Sequence, residues 1–390
     1  MSRRHDIDAL RAIAFALVIL YHVAMVYVAD WPFHLKSPHA AEWLQWPMRA
    51  LNLWRMDLVF LVSGLALGFV GRGSAGALLR SRSWRLLLPL AFGMAVVVPF
   101  QPYAQALAGG FVEPGFGAFL RRYFTGGPWP PQAFDGARPG VTWNHLWYLA
   151  YLWVYTLLLV LLLPLLQSAA GLRLRQRLLA WRGVRLVLLP LLPLMAASVL
   201  LWPHFPPTRD LLHDGWLHAV YFTLFLYGWA IGVDGGWWAE VTRLRWRLLA
   251  AALAAFCLHL LLRAALGPGL APRLAADLYV ATTLLAVLGW AHHKLNRPWR
   301  WLPWANDAVY PWYVLHQTLI IVLLFWLAPL RLGPVVEPVL LVAGTVAGCW
   351  GLTAVIRRVR WLRPLFGLKP PAPPRCPSPA SAAHPAARSA

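Results

Sequence analysis

Residues 4–22 read RHDIDALRAIAFALVILYH. The charged residues up to Arg11 are followed by an apolar run that ends at Tyr21 and His22. At 3.6 residues per turn, the path from Arg11 to His22 makes about three turns plus roughly 20° and rises roughly 16 Å. Both side chains therefore share one helix face. Ionisable groups in a spanning helix are costly in lipid and usually face a protein interior or a wet cavity, so this face is predicted to be functional.

Apolar runs long enough to cross a membrane recur along the chain. Hydrophobic residues make up 60% of the sequence and charged residues 13%, and the mean hydropathy is +0.57. About 20 apolar residues in a helix cross the roughly 30 Å of a bilayer's hydrocarbon. The sequence therefore predicts an all-α polytopic membrane protein. We expect about ten transmembrane helices, near 8–28, 51–70, 86–105, 145–167, 186–203, 215–234, 247–266, 275–293, 308–328 and 335–356.

The net charge of +21 is distributed unevenly along these spans. With the N-terminus inside, the inner segments hold 24 Lys and Arg residues and the outer loops hold eight. This imbalance follows the positive-inside rule, with the N-terminus and the C-terminus both cytoplasmic. Because the charge alternates with topology, it does not indicate a nucleic-acid partner. The expected surroundings are the lipid bilayer, and the sequence leaves the oligomeric state open.

Residues 1–360 are predicted to form one membrane domain, and residues 361–390 a cytoplasmic tail. Beyond residue 370 the tail is rich in Pro, Ala and Ser and is expected to be disordered, because it cannot bury a core. Cys257, Cys349 and Cys376 show no paired spacing, so neither a disulfide framework nor a metal site is expected. No bound cofactor is expected.

Two longer outer segments, 29–50 and 106–144, carry several tryptophans. They include Trp31, Trp43, Trp46, Trp129 and Trp143. Tryptophans at this depth are typical of the interfacial belt of a membrane protein. The alternative is carbohydrate recognition, since a flat indole can stack on the C–H face of a sugar ring.

Five motifs occur in order along the chain. They are Arg4…Asp8-Ala-Leu-Arg11…His22, Arg55-Met-Asp-Leu-Val-Phe-Leu-Val-Ser63-Gly64, Arg82-Ser-Trp-Arg85, Asn144-His145-Leu-Trp-Tyr-Leu149 and Tyr310-Pro-Trp-Tyr-Val-Leu-His316-Gln317. From about residue 4 to 356 the chain resembles the membrane-bound acyltransferases of the acyltransferase 3 family. Within it, the greatest likeness is to the glucan biosynthesis protein C branch, which modifies periplasmic glucans with succinyl groups. Many family members carry a Glu after the Leu-Trp pair, where this chain has Ala150-Tyr151-Leu152.

The resemblance implies a multi-pass enzyme of the bacterial inner membrane. It would pass an acyl group, succinyl or acetyl, from cytoplasmic acyl-CoA to a hydroxyl of a periplasmic or surface glycan. On this reading Arg11 helps to hold the donor, and His22 is the general base towards the acceptor hydroxyl. The alternative for His22 is a polar group that only bonds to a neighbouring helix. Asp8, three residues before Arg11, is expected to support Arg11 by pairing, although a hydrated pair outside the membrane is an equal alternative.

Arg82 and Arg85 are the predicted donor-binding residues. Guanidinium groups match phosphate oxygens in pairs, and CoA brings several phosphates to the cytoplasmic side. The alternative is that these arginines are ordinary positive-inside charge.

Arg55, Asp57, His145 and His316 are the candidates for the acceptor side or cavity. Arg55 and Asp57 are two residues apart and do not face each other on a helix. The alternative is that these side chains pack between helices or reach the interface. Ser63-Gly64 is given no chemistry, because a small residue at mid-membrane permits close helix packing.

Two questions stay open from the sequence. The transfer is either direct, in a complex with both substrates, or proceeds through an acyl-enzyme, for example on His22. The alternative function is a transporter or exporter of a glycan or amphipathic small molecule, in which the same buried Arg and His bind and relay.

Overall fold

The chain is a bundle of α-helices in a computed structural model, which describes residues 4–68, 74–232 and 234–369. Within these residues no β-strand occurs, and an isolated β-bridge joins Val28 and Ala41. The helices are α1 (His5–Met25), α2 (Gln45–Asn52), α3 (Arg55–Gly68), α4 (Ala75–Phe92), α5 (Phe100–Ala108), α6 (Phe116–Phe124), α7 (Trp147–Leu166), α8 (Ala169–Ala180), α9 (Arg185–Leu200), α10 (Gly215–Ile231), α11 (Gly235–Leu266), α12 (Leu270–Leu295), α13 (Leu302–Leu327), α14 (Gly333–Arg358) and α15 (Leu362–Leu365).

Eight helical segments of the described chain are long and apolar enough to cross a membrane, which confirms a polytopic membrane protein. They are His5–Met25, Glu42–Gly68, Ala75–Ala108, Asn144–Leu166, Gly235–Leu266, Leu270–Leu295, Leu302–Leu330 and Gly333–Arg358. The other two predicted spans, 186–203 and 215–234, form α9 and α10, of 16 and 17 residues. These helices are about 24 and 26 Å long, less than the roughly 30 Å of hydrocarbon. Among the described residues, eight segments are thus candidates for full spans, compared with the ten spans expected, and α9 and α10 are shorter apolar helices.

Helix α1 packs against α3, α12, α13 and α14. Its exposed apolar residues, Ile13 and Leu20, are seven positions apart and share one face. Phe15 and Val18 are buried on the opposite, inward side. We call the side of the bundle at which α1 begins the Arg11 side, and the opposite side the His22 side.

Helices α3 and α10 approach at two glycines. A Cβ on Gly64 would lie 1.9 Å from the carbonyl oxygen of Phe225, and one on Gly228 would lie 2.0 Å from that of Leu61. Both distances are far below contact, so only glycine permits this spacing. The predicted packing role of Gly64 is confirmed, whereas Ser63 also bonds to Tyr148, as described below.

The third span, Ala75–Ala108, changes its helical pitch in the middle. Residues Gly93–Val97 form a π-helical turn, closed by a bond from the Val98 amide to the Gly93 carbonyl of 2.8 Å. Such a turn inserts one extra residue and re-aims the helix that follows. As a result Gln101 of α5 is fully buried and donates to Thr318 of α13 across 2.7 Å.

The chain beyond α14 returns to the bundle before the described residues end. The ring of Phe366 lies 5.3 Å from that of Phe92, and both Phe366 and Leu368 are buried. Phe366 of the predicted tail therefore packs against α4, and Leu368 is buried beside it, whereas Trp361 is exposed. Residues 370–390, for which disorder was predicted, lie outside the described residues.

Candidate active site

Arg11 and His22 both reach from α1 to the same neighbouring helix, α13. Arg11 Nη2 donates to Asn306 Oδ1 at 2.6 Å, and His22 Nδ1 lies 3.0 Å from His316 Nε2. Since a helix rises 1.5 Å per residue, these contacts are about 16 Å apart along α1. The shared helix face predicted from the sequence is thus directed into the protein, against α13.

His22 lines a small cavity of about 40 Å³ on its own side of the bundle. Phe15 and Val18 of the same helix also line it, so the cavity follows α1 for about two turns. Its other polar linings are Arg55, His145, Tyr148, Arg209 and Tyr313. Because Arg209 is exposed, the cavity opens towards the His22 side.

Three histidines from three separate segments meet beside this cavity, which His22 and His145 line. The ring centroids of His22 and His316 are 5.0 Å apart, and those of His145 and His316 are 5.1 Å apart. His316 is fully buried, His145 is 5% exposed, and His22 is partly exposed towards the cavity. The structure therefore brings His145 and His316 together with His22, but only His145 of the two predicted cavity histidines lines the cavity; His316 is packed behind it.

The ring of His145 has both nitrogens occupied. Its Nε2 lies 3.1 Å from the Val314 carbonyl oxygen, and its Nδ1 lies 3.3 Å from Gln101 Nε2. Its backbone carbonyl also accepts a bond from the Tyr313 hydroxyl at 2.5 Å. His145 therefore joins α5, α7 and α13 at the cavity wall and has no ring nitrogen left for a substrate.

Arg55 supplies a buried positive charge to the cavity. It is 6% exposed, and its guanidinium carbon lies 3.3 Å from the ring centroid of Tyr21. It donates to Asn52, and its Nε has no hydrogen-bond partner. Within the described residues no carboxylate lies within 4.0 Å of it, so this cation has room for an anionic ligand.

Arg209 is a second cation at the same cavity. In the sequence it is one of the eight basic residues of the outer loops and has no predicted role. Its guanidinium carbon lies 6.0 Å from the Trp147 ring centroid. Its backbone, at a φ of 59°, is held by Asp214, whose carboxylate accepts from the Arg209 amide at 2.6 Å. No local pattern marks this residue, because loop 201–214 reaches the cavity only through the fold.

Asp57 is buried, but it is not among the residues that line the cavity. Its strongest charge interaction is with Arg273, which itself pairs with Asp277 at 2.5 Å. Arg55 and Asp57 thus point to different faces of α3, as their spacing predicts.

The Arg11 side gathers three arginines that the sequence predicted for the donor. Arg11 and Arg85 are close enough to repel each other, and Arg85 lies with its guanidinium carbon 5.7 Å from the Tyr310 ring centroid. Arg85 Nη2 also points to the Gly367 carbonyl, at 3.5 Å. The buried Nε atoms of Arg11, Arg82 and Arg85 have no hydrogen-bond partner.

Asp8 lies within electrostatic reach of Arg11, and its interaction is attractive. The neighbouring carboxylate, Asp6, forms the better-defined contacts at this end of α1. It is fully buried, accepts from Arg4 at 2.6 Å, and accepts from His292 of α12 at 2.8 Å. The sequence did not predict this pairing of Asp6, which fastens the start of α1 to α12.

Tyr148 lies between the arginines of the Arg11 side and the histidines beside the cavity. It lines the His22 cavity, and its hydroxyl lies 2.6 Å from Ser63 Oγ. It also interacts electrostatically with Arg82 and Arg11 on the other side. Tyr148 belongs to one of the five sequence motifs, but the sequence predicted no role for it. In the fold it separates the arginines from the histidines.

Within the described residues, no group of three or more His, Cys, Asp or Glu side chains could hold a metal ion. The histidines that meet at the cavity bond to one another, to backbone carbonyls and to an amide.

Comparison with known proteins identifies the family. No curated protein and no solved structure matches the chain. The family model described as an acyltransferase domain, acyltransferase 3, matches residues 4–354, nearly the whole chain. This match supports an enzyme over an exporter. It does not distinguish the branches of the family from one another. The chain therefore belongs to the acyltransferase 3 family and is a membrane acyltransferase that acts on groups other than amino-acyl groups.

Proposed function

We propose that this protein is an O-acyltransferase of the bacterial inner membrane that moves a succinyl group from cytoplasmic acyl-CoA to a hydroxyl of a periplasmic glucan. One observation carries the proposal. A single helix presents Arg11 among arginines on one side and His22 in a cavity on the other. The donor and acceptor of such a reaction are in different compartments, so their sites must lie at different depths.

The donor enters from the Arg11 side. Arg11, Arg82 and Arg85 each have a buried Nε without a partner, and guanidinium groups bind phosphate oxygens with paired hydrogen bonds. The phosphates of CoA fit this chemistry. The pantetheine arm then carries the thioester past Tyr148 towards His22.

The acceptor enters the cavity from the His22 side. A ring nitrogen of His22 removes the proton from the acceptor hydroxyl, whose oxygen attacks the thioester carbonyl. The tetrahedral intermediate collapses as the C–S bond breaks. The departing thiolate of CoA takes the proton back from the His22 imidazolium, so the products are the glucan ester and CoA.

The cavity charge favours succinyl over acetyl. Arg55 is buried with no carboxylate within 4.0 Å among the residues described, and Arg209 lies at the same cavity. A succinyl group carries a free carboxylate that would satisfy this charge, whereas an acetyl group does not.

Transfer by purified protein tests the proposal. The protein in detergent is incubated with radiolabelled succinyl-CoA and a linear or cyclic glucan, and the label in the sugar is counted. We expect labelled glucan from the wild-type protein and a loss of at least about 100-fold in His22→Gln, since general-base catalysis contributes roughly 10²–10⁴-fold. The matched control is His259→Gln, because His259 is a buried histidine of α11, bonded to the Pro272 carbonyl away from the cavity.

Three results would contradict the proposal. One is full transfer by His22→Gln, and another is acetyl-CoA used in strong preference to succinyl-CoA. The third is a folded protein that makes no acylated sugar but moves glucan across liposomes, which would support the exporter.

Omitting the acceptor separates the two routes of transfer. A burst of free CoA with label retained on the protein indicates an acyl-enzyme, and no burst indicates direct transfer.

A further inference from the structure

We infer that His316 is a positioning residue that holds His22 in the tautomer with its proton on Nδ1, so that Nε2 is the nitrogen that removes the acceptor's proton. This inference rests on the proposed function and adds to it which atom acts and what fixes it. The contact that carries it joins α1 and α13, with His22 Nδ1 3.0 Å from His316 Nε2.

The protonation of His316 follows from its other nitrogen. His316 Nδ1 lies 2.8 Å from the Tyr313 carbonyl oxygen and 3.1 Å from that of Trp312. A carbonyl oxygen only accepts hydrogen bonds, so Nδ1 carries the proton. No carboxylate lies within 4.0 Å of this buried ring among the residues the structure describes, and a charged imidazole would therefore lack a counter-ion. His316 is thus neutral, and its Nε2 offers a lone pair.

The protonation of His22 follows in turn. Because His316 Nε2 accepts, His22 Nδ1 must donate. A neutral imidazole with its proton on Nδ1 has its lone pair on Nε2. No hydrogen bond joins that atom to another described residue, and His22 is partly exposed to the cavity. The base therefore faces the space where the acceptor binds.

The surrounding network keeps His316 in place. The next residue, Gln317, donates to Gln101 Oε1 at 2.9 Å and lies 3.0 Å from His34 Nε2. His34 Nδ1 in turn lies 2.7 Å from Gln105 Oε1. These bonds assign consistent donors and acceptors throughout. Of the rings of His22, His34, His145 and His316, His22 alone keeps a nitrogen without a partner among the described residues.

This arrangement also sets where the proton goes. His316 Nδ1 already carries a proton bonded to backbone carbonyls, so His316 cannot relay a second proton onward. The proton from the acceptor stays on His22 Nε2 until the CoA thiolate takes it. The imidazolium formed for that interval is stabilised by its bond from Nδ1 to His316.

A pair of substitutions at His316 tests the inference through kinetics. In His316→Leu the acceptor for His22 Nδ1 is lost, and we expect kcat to fall by about 10-fold or more, because the partner that sets the tautomer of the base is removed. In His316→Gln the amide oxygen can accept the same bond, and kcat should return to within about tenfold of wild type. The KM values for succinyl-CoA and glucan should change by less than about twofold, because His316 touches neither substrate. His259→Leu is the control for losing a buried histidine.

A spectroscopic measurement on the wild-type protein tests the same point without relying on a variant that folds. Imidazole nitrogens labelled with 15N report which nitrogen carries the proton, and the His22 signals are those absent from His22→Gln. We expect Nδ1 protonated and Nε2 unprotonated. The opposite tautomer would overturn the inference, as would wild-type kcat in folded His316→Leu. If His22→Gln is inactive while His316→Leu is fully active, this inference fails and the proposed function stands.

Discussion

His22 Nδ1 lies 3.0 Å from His316 Nε2, although 294 residues separate them in the sequence. The same two helices meet again at Arg11 and Asn306, at 2.6 Å. Helix α1 is thus held against α13 by one polar contact on each side of the bundle. These contacts fix the depth and rotation of α1, and with them the direction of both groups proposed to act on the substrates.

The donor site can be tested by comparing two acyl donors, one with the nucleotide phosphates of CoA and one without them. We expect Arg85→Gln to raise the KM for succinyl-CoA by about 10-fold or more, because a hydrogen bond to a charged group contributes about 1.5–3 kcal/mol. The KM for succinyl-pantetheine, which lacks the nucleotide phosphates, should stay unchanged. Arg177→Gln is the control, because Arg177 is an exposed arginine of α8. An equal rise for both donors would contradict phosphate binding by Arg85.

The choice of acyl group can be tested at Arg55. We expect Arg55→Gln to lower kcat/KM for succinyl-CoA by about 10-fold or more, since the succinyl carboxylate would lose a buried charge-assisted bond. The value for acetyl-CoA should change by less than about threefold. Arg55→Lys keeps the charge and should retain part of the preference. If both donors lose activity equally, Arg55 does not select the acyl group.

The approach of α3 to α10 predicts a large stability difference between two glycine substitutions. Gly64→Ala places a Cβ 1.9 Å from the Phe225 carbonyl oxygen, so the helices must separate. We expect the free energy of unfolding to fall by about 1–3 kcal/mol or more. Gly76→Ala is the matched control, since its Cβ meets nothing within 4 Å near the start of α4. It should stabilise the helix by about 0.5–1 kcal/mol. Unfolding in mixed detergent micelles measures both, and equal stabilities would contradict the packing.

The segment after α14 is predicted to contribute to stability although the family match ends at residue 354. Phe366 is 5% exposed and packs on Phe92. Phe366→Ala should therefore lower the free energy of unfolding by up to about 3–5 kcal/mol, the range for a buried aromatic ring. Trp361 is 69% exposed, and Trp361→Ala should cost less than about 1 kcal/mol. The thermal midpoint in detergent compares them. Similar midpoints would indicate that Phe366 does not pack as described.

Much of this protein was determined by its sequence alone. The spans could be predicted because lipid offers the backbone no hydrogen bonds, so an apolar run must become a helix. The helical repeat, which is also local, placed Arg11 and His22 on one face and Arg55 and Asp57 on different faces. Hydropathy does not mark where a helix ends, so the predicted ranges 186–203 and 215–234 run past the ends of α9 and α10.

The tertiary structure decided the chemistry of the site. Which nitrogen of His22 is free depends on His316, and whether His145 can act depends on Gln101 and Val314. Arg209 reaches the cavity by a loop that no motif marks. These relationships depend on the rotation and depth of helices far apart in the chain. Packing of whole helices sets both quantities, so a local pattern can place a residue on a face but cannot name the partner that it meets.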